Sequence, residues 1–248
     1  CHIRKWEYMN NERIDDLNLN GKKIIQNTDY FCFGIDSVLL ANFVSSNSSK
    51  NVVVDLCSGT GVISVILTQK KKLHKIYAVE LQDEMYNLLK RNIKLNNLED
   101  CIYPFKANIK DYYLDKKVDI VVCNPPYKEI GTGIKNENTV KYIARHEKEC
   151  TLEDVFKCSS KILKQKGKLY LVHKPQRLVD LISLARKYNL EAKNIRFVYP
   201  KLNSSASIVL VEYVFYGGNE INVLPPLIEY DEFGNYTEEI LDIYGSEK

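Results

Sequence analysis

Between residues 51 and 216 the chain alternates short apolar runs with stretches of helical periodicity. That alternation restricts the fold more than any other feature. The runs at 51–56, 75–81, 101–107, 118–123 and 168–173 are predicted strands, and those at 195–199 and 207–216 follow them. Helices are predicted over 61–71, 83–95, 151–164 and 175–188, with an earlier one over 35–44. In the 83–95 stretch Met85, Leu88, Leu89 and Ile93 form one apolar stripe. Thr151, three residues before Asp154, is placed to cap the helix that follows. Fully apolar strands joined by helices imply a parallel sheet covered on both faces. The last two runs have no long helix between them, so they should form an antiparallel edge pair. The expected fold is α/β: a doubly wound, seven-stranded, mostly parallel sheet with an antiparallel last strand. Residues 1–46 are read as an N-terminal extension, a strand or hairpin plus a helix, and residues 47–248 as the main domain.

Composition narrows the class. The 248 residues are 45% hydrophobic and 27% charged, ordinary for a soluble globular chain. No apolar run approaches the roughly 20 residues that cross a bilayer. The first ten residues lack the apolar core of a signal peptide, and Met9 stands as a candidate start. The seven cysteines form no C-x-x-C, and three lie in or beside apolar runs, which reads as reduced structural thiols in a cytoplasmic protein. The four histidines are too scattered for a metal cluster, so no metal is expected. The net charge of +3 conceals an asymmetry: residues 219–248 carry eight acidic and one basic residue, leaving a net +10 on residues 1–218. A basic body suits an anionic partner such as RNA, although solvated surface lysines explain the charge equally well.

The first predicted strand runs into Asp55-Leu56-Cys57-Ser58-Gly59-Thr60-Gly61, and the second ends at Glu80-Leu81, nineteen residues past Gly61 for the glutamate. In such sheets ligands bind beyond the carboxyl ends of the strands. Gly59 and Gly61 let backbone approach a ligand, and a carboxylate at Glu80 fits the two hydroxyls of a ribose. A nicotinamide dinucleotide would want a third glycine where Ser64 stands, and Asp55 would repel its pyrophosphate. S-adenosylmethionine carries no phosphate, and its ammonium and sulfonium favour Asp55, so it is the preferred cofactor.

The fourth strand ends in Asn124-Pro125-Pro126-Tyr127 on the same rim. The prolines fix φ and hold a stiff turn with free carbonyls; a turn alone would account for them and for Asn124. The set also suits methylation of a conjugated amino group, whose lone pair is delocalised and weakly nucleophilic. The Asn124 side-chain oxygen and the Pro125 carbonyl can accept its two hydrogens while the Tyr127 ring stacks on the base, so that positioning supplies most of the catalysis. A base must leave its stack to enter, which is least costly in a loop or single strand.

Asp55-x-x-x-Gly59-x-Gly61 resembles motif I of the class I methyltransferases, with Cys57 in place of the usual first glycine. Asn124-Pro125-Pro126-Tyr127 resembles motif IV of the N6-adenine methyltransferases and of the release-factor glutamine N5-methyltransferases. Three further stretches resemble the bacterial enzymes that methylate adenine 37, beside the anticodon, in valine tRNA. They are Ile24-Ile25-Gln26 with Phe31 to Ala41, Ile143 to Glu147, and Pro225 to Tyr230 with Tyr236 to Ile240. That resemblance spans about residues 13–245 and implies a Rossmann-like methyltransferase fold, a tRNA anticodon loop as partner, no membrane, and a monomer. It places Asp55, Cys57, Gly59 and Gly61 around the methionine part of the cofactor and Glu80 and Leu81 at its ribose. Asn108 and Ile109 fall beside its adenine, with asparagine where the family usually has aspartate. Phe33 and Asp36 would fold over it. Arg145, His146 and Lys174 could meet RNA, although Arg145 and His146 could equally form a capping cluster with Glu147. His173 reads as a hydrogen-bonded structural histidine. Lys5, Arg13, Lys22, Arg177 and Arg196 are candidates for the tRNA backbone, and Tyr199-Pro200-Lys201 for the rim. The alternatives are a protein glutamine N5-methyltransferase and a non-catalytic RNA-binding module.

Overall fold

In a computed structural model, residues 11–30, 32–127 and 150–245 are described. Eleven strands, six α-helices and one short 3-10 helix (Pro175–Arg177) are assigned among them. β1 (Glu12–Asp16) and β2 (Lys23–Asn27) form an antiparallel hairpin ahead of α1 (Ile35–Phe43). The parallel series follows: β3 (Val53–Leu56), α2 (Val62–Lys70), β4 (Ile76–Glu80), α3 (Asp83–Leu95), β5 (Ile102–Lys106) and β6 (Val118–Cys123). After residue 150 come α4 (Leu152–Ile162), β7 (Leu163–His173), α5 (Leu178–Lys187), β8 (Leu190–Tyr199), β9 (Ile208–Phe215), β10 (Asn222–Val223), β11 (Leu227–Ile228) and α6 (Glu238–Tyr244). No described helix is long and apolar enough to cross a membrane.

The main sheet runs β5-β4-β3-β6-β7-β9-β8, with β10 and β11 both paired to β8. Only β9 runs antiparallel to its neighbours. The seven long strands are the ones the sequence predicts, but the sheet has nine because β10 and β11 extend its edge. Two-residue strands around Pro225-Pro226 carry no periodicity, which is why the pattern does not reveal them. β7 also begins earlier than expected, and α4 ends at Ile162 rather than 164. A bulge at Lys164–Gly167 shifts the register against β6, with Lys166 at φ 62°. A second bulge, between Ala192 and Asn194, breaks the alternation in β8 and conceals its first five residues from a periodicity argument.

Successive strand residues point to opposite faces, so each strand feeds two cores. Val53, Ile120, Val122, Tyr170 and Val172 face α1 and α2, while Val54, Val121, Leu169, Leu171 and Val209 face α4 and α5. The predicted stripe of α3 is buried at all four positions. Thr151 and Asp154 form a reciprocal capping box at the start of α4.

The hairpin is tied to α3 by two buried asparagines, Asn92 within the helix and Asn96 at its C-cap. Asn92 accepts from the Ile25 N–H at 2.7 Å and donates to the carbonyls of Ile25 and Thr60 at 3.0 and 2.9 Å. Asn96 makes the equivalent pair with Lys23, at 2.9 and 2.7 Å. These bonds satisfy the outer edge of β2, which would otherwise hold buried, unpaired backbone groups.

Candidate active site

The chain leaves β3 for β4 on one side and returns to β6 on the other, so the order of the sheet reverses between β3 and β6. Leu56 is paired directly with Cys123 there. The glycine loop and the N-P-P-Y turn therefore leave adjacent strand ends at the switch point where such sheets bind ligands. Glu80 lies one strand over, after the pair Leu56–Val79. His173 ends β7 on the other side.

The loop is held from within. Gly61 N–H donates to the Ser58 carbonyl at 2.8 Å, and Ser58 N–H to the Val79 carbonyl at 3.0 Å. Gly59 N–H donates to Glu80 Oε2 at 2.9 Å, and Leu81 and Gln82 N–H both donate to Oε1 at 2.9 Å. Glu80 thus fastens the loop and also holds the Leu81–Gln82 connection that leads into α3. Gly61 has φ 84°, and a Cβ there would lie 2.5 Å from Leu89 Cδ1, so only glycine fits. Cys57 has φ 57°, which explains why a glycine usually stands at this motif position. The cysteine accepts the left-handed conformation, and its Sγ lies 3.4 Å from Cys150 Sγ. Burial and its sulfur neighbours hold the Cys57 thiol well above its usual range, with the bond to Cys123 the largest cause. Among the described residues no group of three ligating side chains could hold a metal.

Asp55 is fully buried. Its Oδ2 accepts from Ser64 Oγ at 2.7 Å, whereas Oδ1 has no hydrogen-bond partner among the described residues. Burial pushes its carboxyl up to about 7, against the opposing effect of the Ser64 bonds. An orphaned carboxylate oxygen at the root of a strained loop calls for a cationic or hydrogen-donating group. Serine at position 64 thus anchors this carboxylate where a third glycine would stand in the alternative dinucleotide loop. Asn108 closes a local turn, its Oδ1 accepting from Lys110 N–H at 3.0 Å, and Ile109 is buried.

The N-P-P-Y turn is gripped by α1. Asn124 Nδ2 donates to Ser37 Oγ at 2.9 Å, and the Tyr127 hydroxyl donates to Asp36 Oδ2 at 2.5 Å. The Tyr127 ring lies against His173, with centroids 4.9 Å apart at 42°, and Lys174 Nζ sits 5.4 Å from its centroid. His173 is buried, and desolvation first, then the Arg177 charge, pulls its imidazole down to about 4. Its Nδ1 accepts the Lys174 N–H at 2.8 Å, as a neutral, structural histidine would. Phe33 is partly buried, its N–H held by the fully buried Gln26 at 2.8 Å.

Arg145 and His146 lie outside the described residues, as does Lys5. Of the other cations, Lys22 donates to the Asn96 carbonyl, Arg196 pairs with Glu239, Arg177 with Asp180 and Arg13 with Asp15, so each already has a partner within the protein. β8 ends at Tyr199, on the same rim as the site. Sequence reasoning missed Ser37, whose signal was its place beside Asp36 on the first turn of a buried helix.

A family model described as the methyltransferase small domain matches residues 32–197. A tRNA1(Val) (adenine(37)-N6)-methyltransferase of Cytophaga hutchinsonii is 26% identical over 66% of this chain and 68% of its own length. The protein of that name in Parabacteroides distasonis is 26% identical over 72% and 75%. Among solved structures, a predicted O-methyltransferase from Agrobacterium tumefaciens superposes with a TM-score of 0.68, covering 84% of this chain and 95% of the other at 19% identity. At that identity the likeness concerns the fold alone.

Proposed function

The chain belongs to the methyltransferase small domain family, and from that premise we propose that it methylates the N6 amine of an adenine in tRNA, with S-adenosylmethionine as donor. The nucleotide is adenine 37 of a valine tRNA, the substrate carried by the names of its relatives. The observation that carries this reading is the pairing of Leu56 with Cys123, which sets the Asp55–Gly61 loop beside Asn124.

When bound, the cofactor supplies an electrophilic methyl group on a sulfonium. Asp55, whose Oδ1 has no hydrogen-bond partner among the described residues, receives its ammonium, and Glu80 meets the ribose. Cys57, Gly59 and Gly61 keep the loop backbone close to the methionine part. Leu81 adjoins the ribose beside Glu80, Asn108 and Ile109 border the adenine of the cofactor, and Phe33, ahead of α1, and Asp36, in its first turn, close the site. Asn124 Oδ1 and the Pro125 carbonyl accept the two hydrogens of the substrate amine, which returns electron density to its nitrogen. Pro126 stiffens the turn, and Tyr127 stacks on the base, its hydroxyl anchored on Asp36. Lys174 faces the RNA backbone of the anticodon loop; Arg145 and His146, read for the same contact, lie outside the described residues. The protein acts as a cytoplasmic monomer, with the β1–β2 hairpin and α1 covering the cofactor side.

The test is incubation with labelled S-adenosylmethionine and either unmodified tRNA or a release factor, followed by nucleoside mass spectrometry. Label in N6-methyladenosine of tRNA supports the reading. Label on glutamine of the release factor, or no transfer at all, rejects it.

A further inference from the structure

β8 and β11 run parallel to each other and to β6, so the turns that follow them stand on the same rim as Asn124-Pro125-Pro126-Tyr127. Each turn holds a large apolar side chain out in water: Leu202 is 75% exposed and Phe233 82%. We infer that Phe233 is a stacking platform for an unpaired base near the target adenine, with Lys201 meeting the adjoining RNA backbone. The inference rests on the proposed action on tRNA.

The turn that carries Phe233 is firmly mounted. Tyr230 and Tyr236 close it as an antiparallel bridge, their rings stacked with centroids 4.9 Å apart at 19°. Inside it, Asp231 Oδ1 accepts the N–H groups of Phe233 and Asn235, both at 2.9 Å. Tyr230 N–H donates to the Pro200 carbonyl at 3.0 Å, which ties this turn to the one bearing Lys201 and Leu202. Tyr236 also lies against Tyr244 of α6, at 5.7 Å, and α6 packs on α1. That is the helix whose Asp36 holds the Tyr127 hydroxyl. The platform and the N-P-P-Y turn are therefore fixed to one body, while the Phe233 ring touches no other aromatic ring among the described residues.

The chemistry of the surroundings selects the occupant. Beside Phe233 stand Glu232 and Asn235, and beside Leu202 stand Lys201 and Asn203. So polar a neighbourhood lacks the broad apolar centre of a protein–protein patch. The acidic residues repel phosphate, so what this turn offers RNA is a ring face, and every base has a face to lay on it. Lys201 makes no ion pair among the described residues and can take the backbone. Four strand spacings separate β6 from β11, roughly 19 Å across the sheet. A few unpaired nucleotides bridge that distance, and loops are where RNA bases splay out onto aromatic side chains.

The experiment measures KM and kcat of Phe233→Ala, Phe233→Leu, Phe233→Tyr and Lys201→Ala on unmodified valine tRNA. It repeats them on the same tRNA made abasic, one position at a time, at the other unpaired nucleotides of the anticodon loop. Phe233→Ala and Phe233→Leu should both raise KM for tRNA about tenfold, with kcat and cofactor Kd within about twofold. Phe233→Tyr, which keeps a flat ring, should stay within about twofold of the parent. At one loop position the abasic change should cost the parent as much as Phe233→Ala does, and the two losses should not add. Lys201→Ala should reduce the salt slope of tRNA binding by about one, and Phe233→Ala should leave it unchanged. Where the parent methylates tRNA, a parental KM in Phe233→Ala or Phe233→Leu overturns the inference alone, as do losses that add at every position. A dimer of the parent that Phe233→Ala abolishes overturns it too, since a second copy is then the occupant. A parent that transfers no methyl group to tRNA overturns the underlying reading and the inference with it.

Discussion

Glu80 Oε2 accepts the Gly59 N–H at 2.9 Å, so the acidic residue at the end of β4 and the glycine loop after β3 form one hydrogen-bonded unit. The same carboxylate takes the N–H groups of Leu81 and Gln82. Glu80→Ala is expected to have two effects. Cofactor affinity, measured by calorimetry, should fall at least about tenfold, the value of one or two charge-assisted hydrogen bonds. Thermal stability should also fall, because the Gly59, Leu81 and Gln82 N–H groups lose their acceptor. Glu80→Gln, which retains one acceptor oxygen, should lie between.

The two glycines of the loop should respond differently to alanine. At Gly61 the new Cβ would meet Leu89 Cδ1 at 2.5 Å in a left-handed backbone with φ 84°. Backbone strain and overpacking together should cost about 2–4 kcal/mol. At Gly59, φ is 55° but the nearest atom, Met85 Cε, stands at an ordinary 3.6 Å, so only the backbone cost of about 1–2 kcal/mol applies. Denaturant unfolding of both variants measures the difference, and equal losses would contradict the packing at Leu89.

Asp55 and His173 predict opposing pH dependences. Burial pushes the Asp55 carboxyl from 3.8 up to about 7. Between those values the folded state holds a proton that the unfolded chain releases, so its contribution to stability is lost as pH rises through that window. His173 is pulled from 6.5 down to about 4, so its contribution is lost as pH falls from 6.5 towards 4. In Asp55→Asn, thermal stability should therefore rise with pH between about 4 and 6.5, and the variant should gain most over its parent above pH 7. In His173→Gln, stability should decline with pH towards 7. Parallel pH profiles for parent and both variants would contradict these assignments.

Much of this was legible in the sequence. The apolar runs, the stripe of α3 and the Thr151 cap depend on contacts within a few residues, and their elements stand within a few positions of where they were expected. The glycine loop, Glu80 and the N-P-P-Y turn were visible because their chemistry is local and their strand ends share a rim. What stayed hidden was long-range. Asn92 in α3 and Asn96 at its C-cap, both polar and buried, meet β2 some 67 to 73 residues away. Ser37 meets Asn124 across 87 residues. No periodicity announces such a bond; it exists only once the sheet has brought α1 over the end of β6. The bulges in β7 and β8 were likewise invisible, because an inserted residue destroys the alternation by which a strand is recognised.

The central claim is that the Asn124 amide acts on the substrate amine rather than on the cofactor. The most direct test is to measure, with one preparation of Asn124→Ala, both single-turnover methyl transfer to unmodified valine tRNA and S-adenosylmethionine affinity. The account predicts that transfer falls at least about a hundredfold, as for removal of a group aligned on the reacting atom, while the cofactor Kd stays within about threefold. Transfer at the parental rate, or a loss explained wholly by weakened cofactor binding, would contradict it.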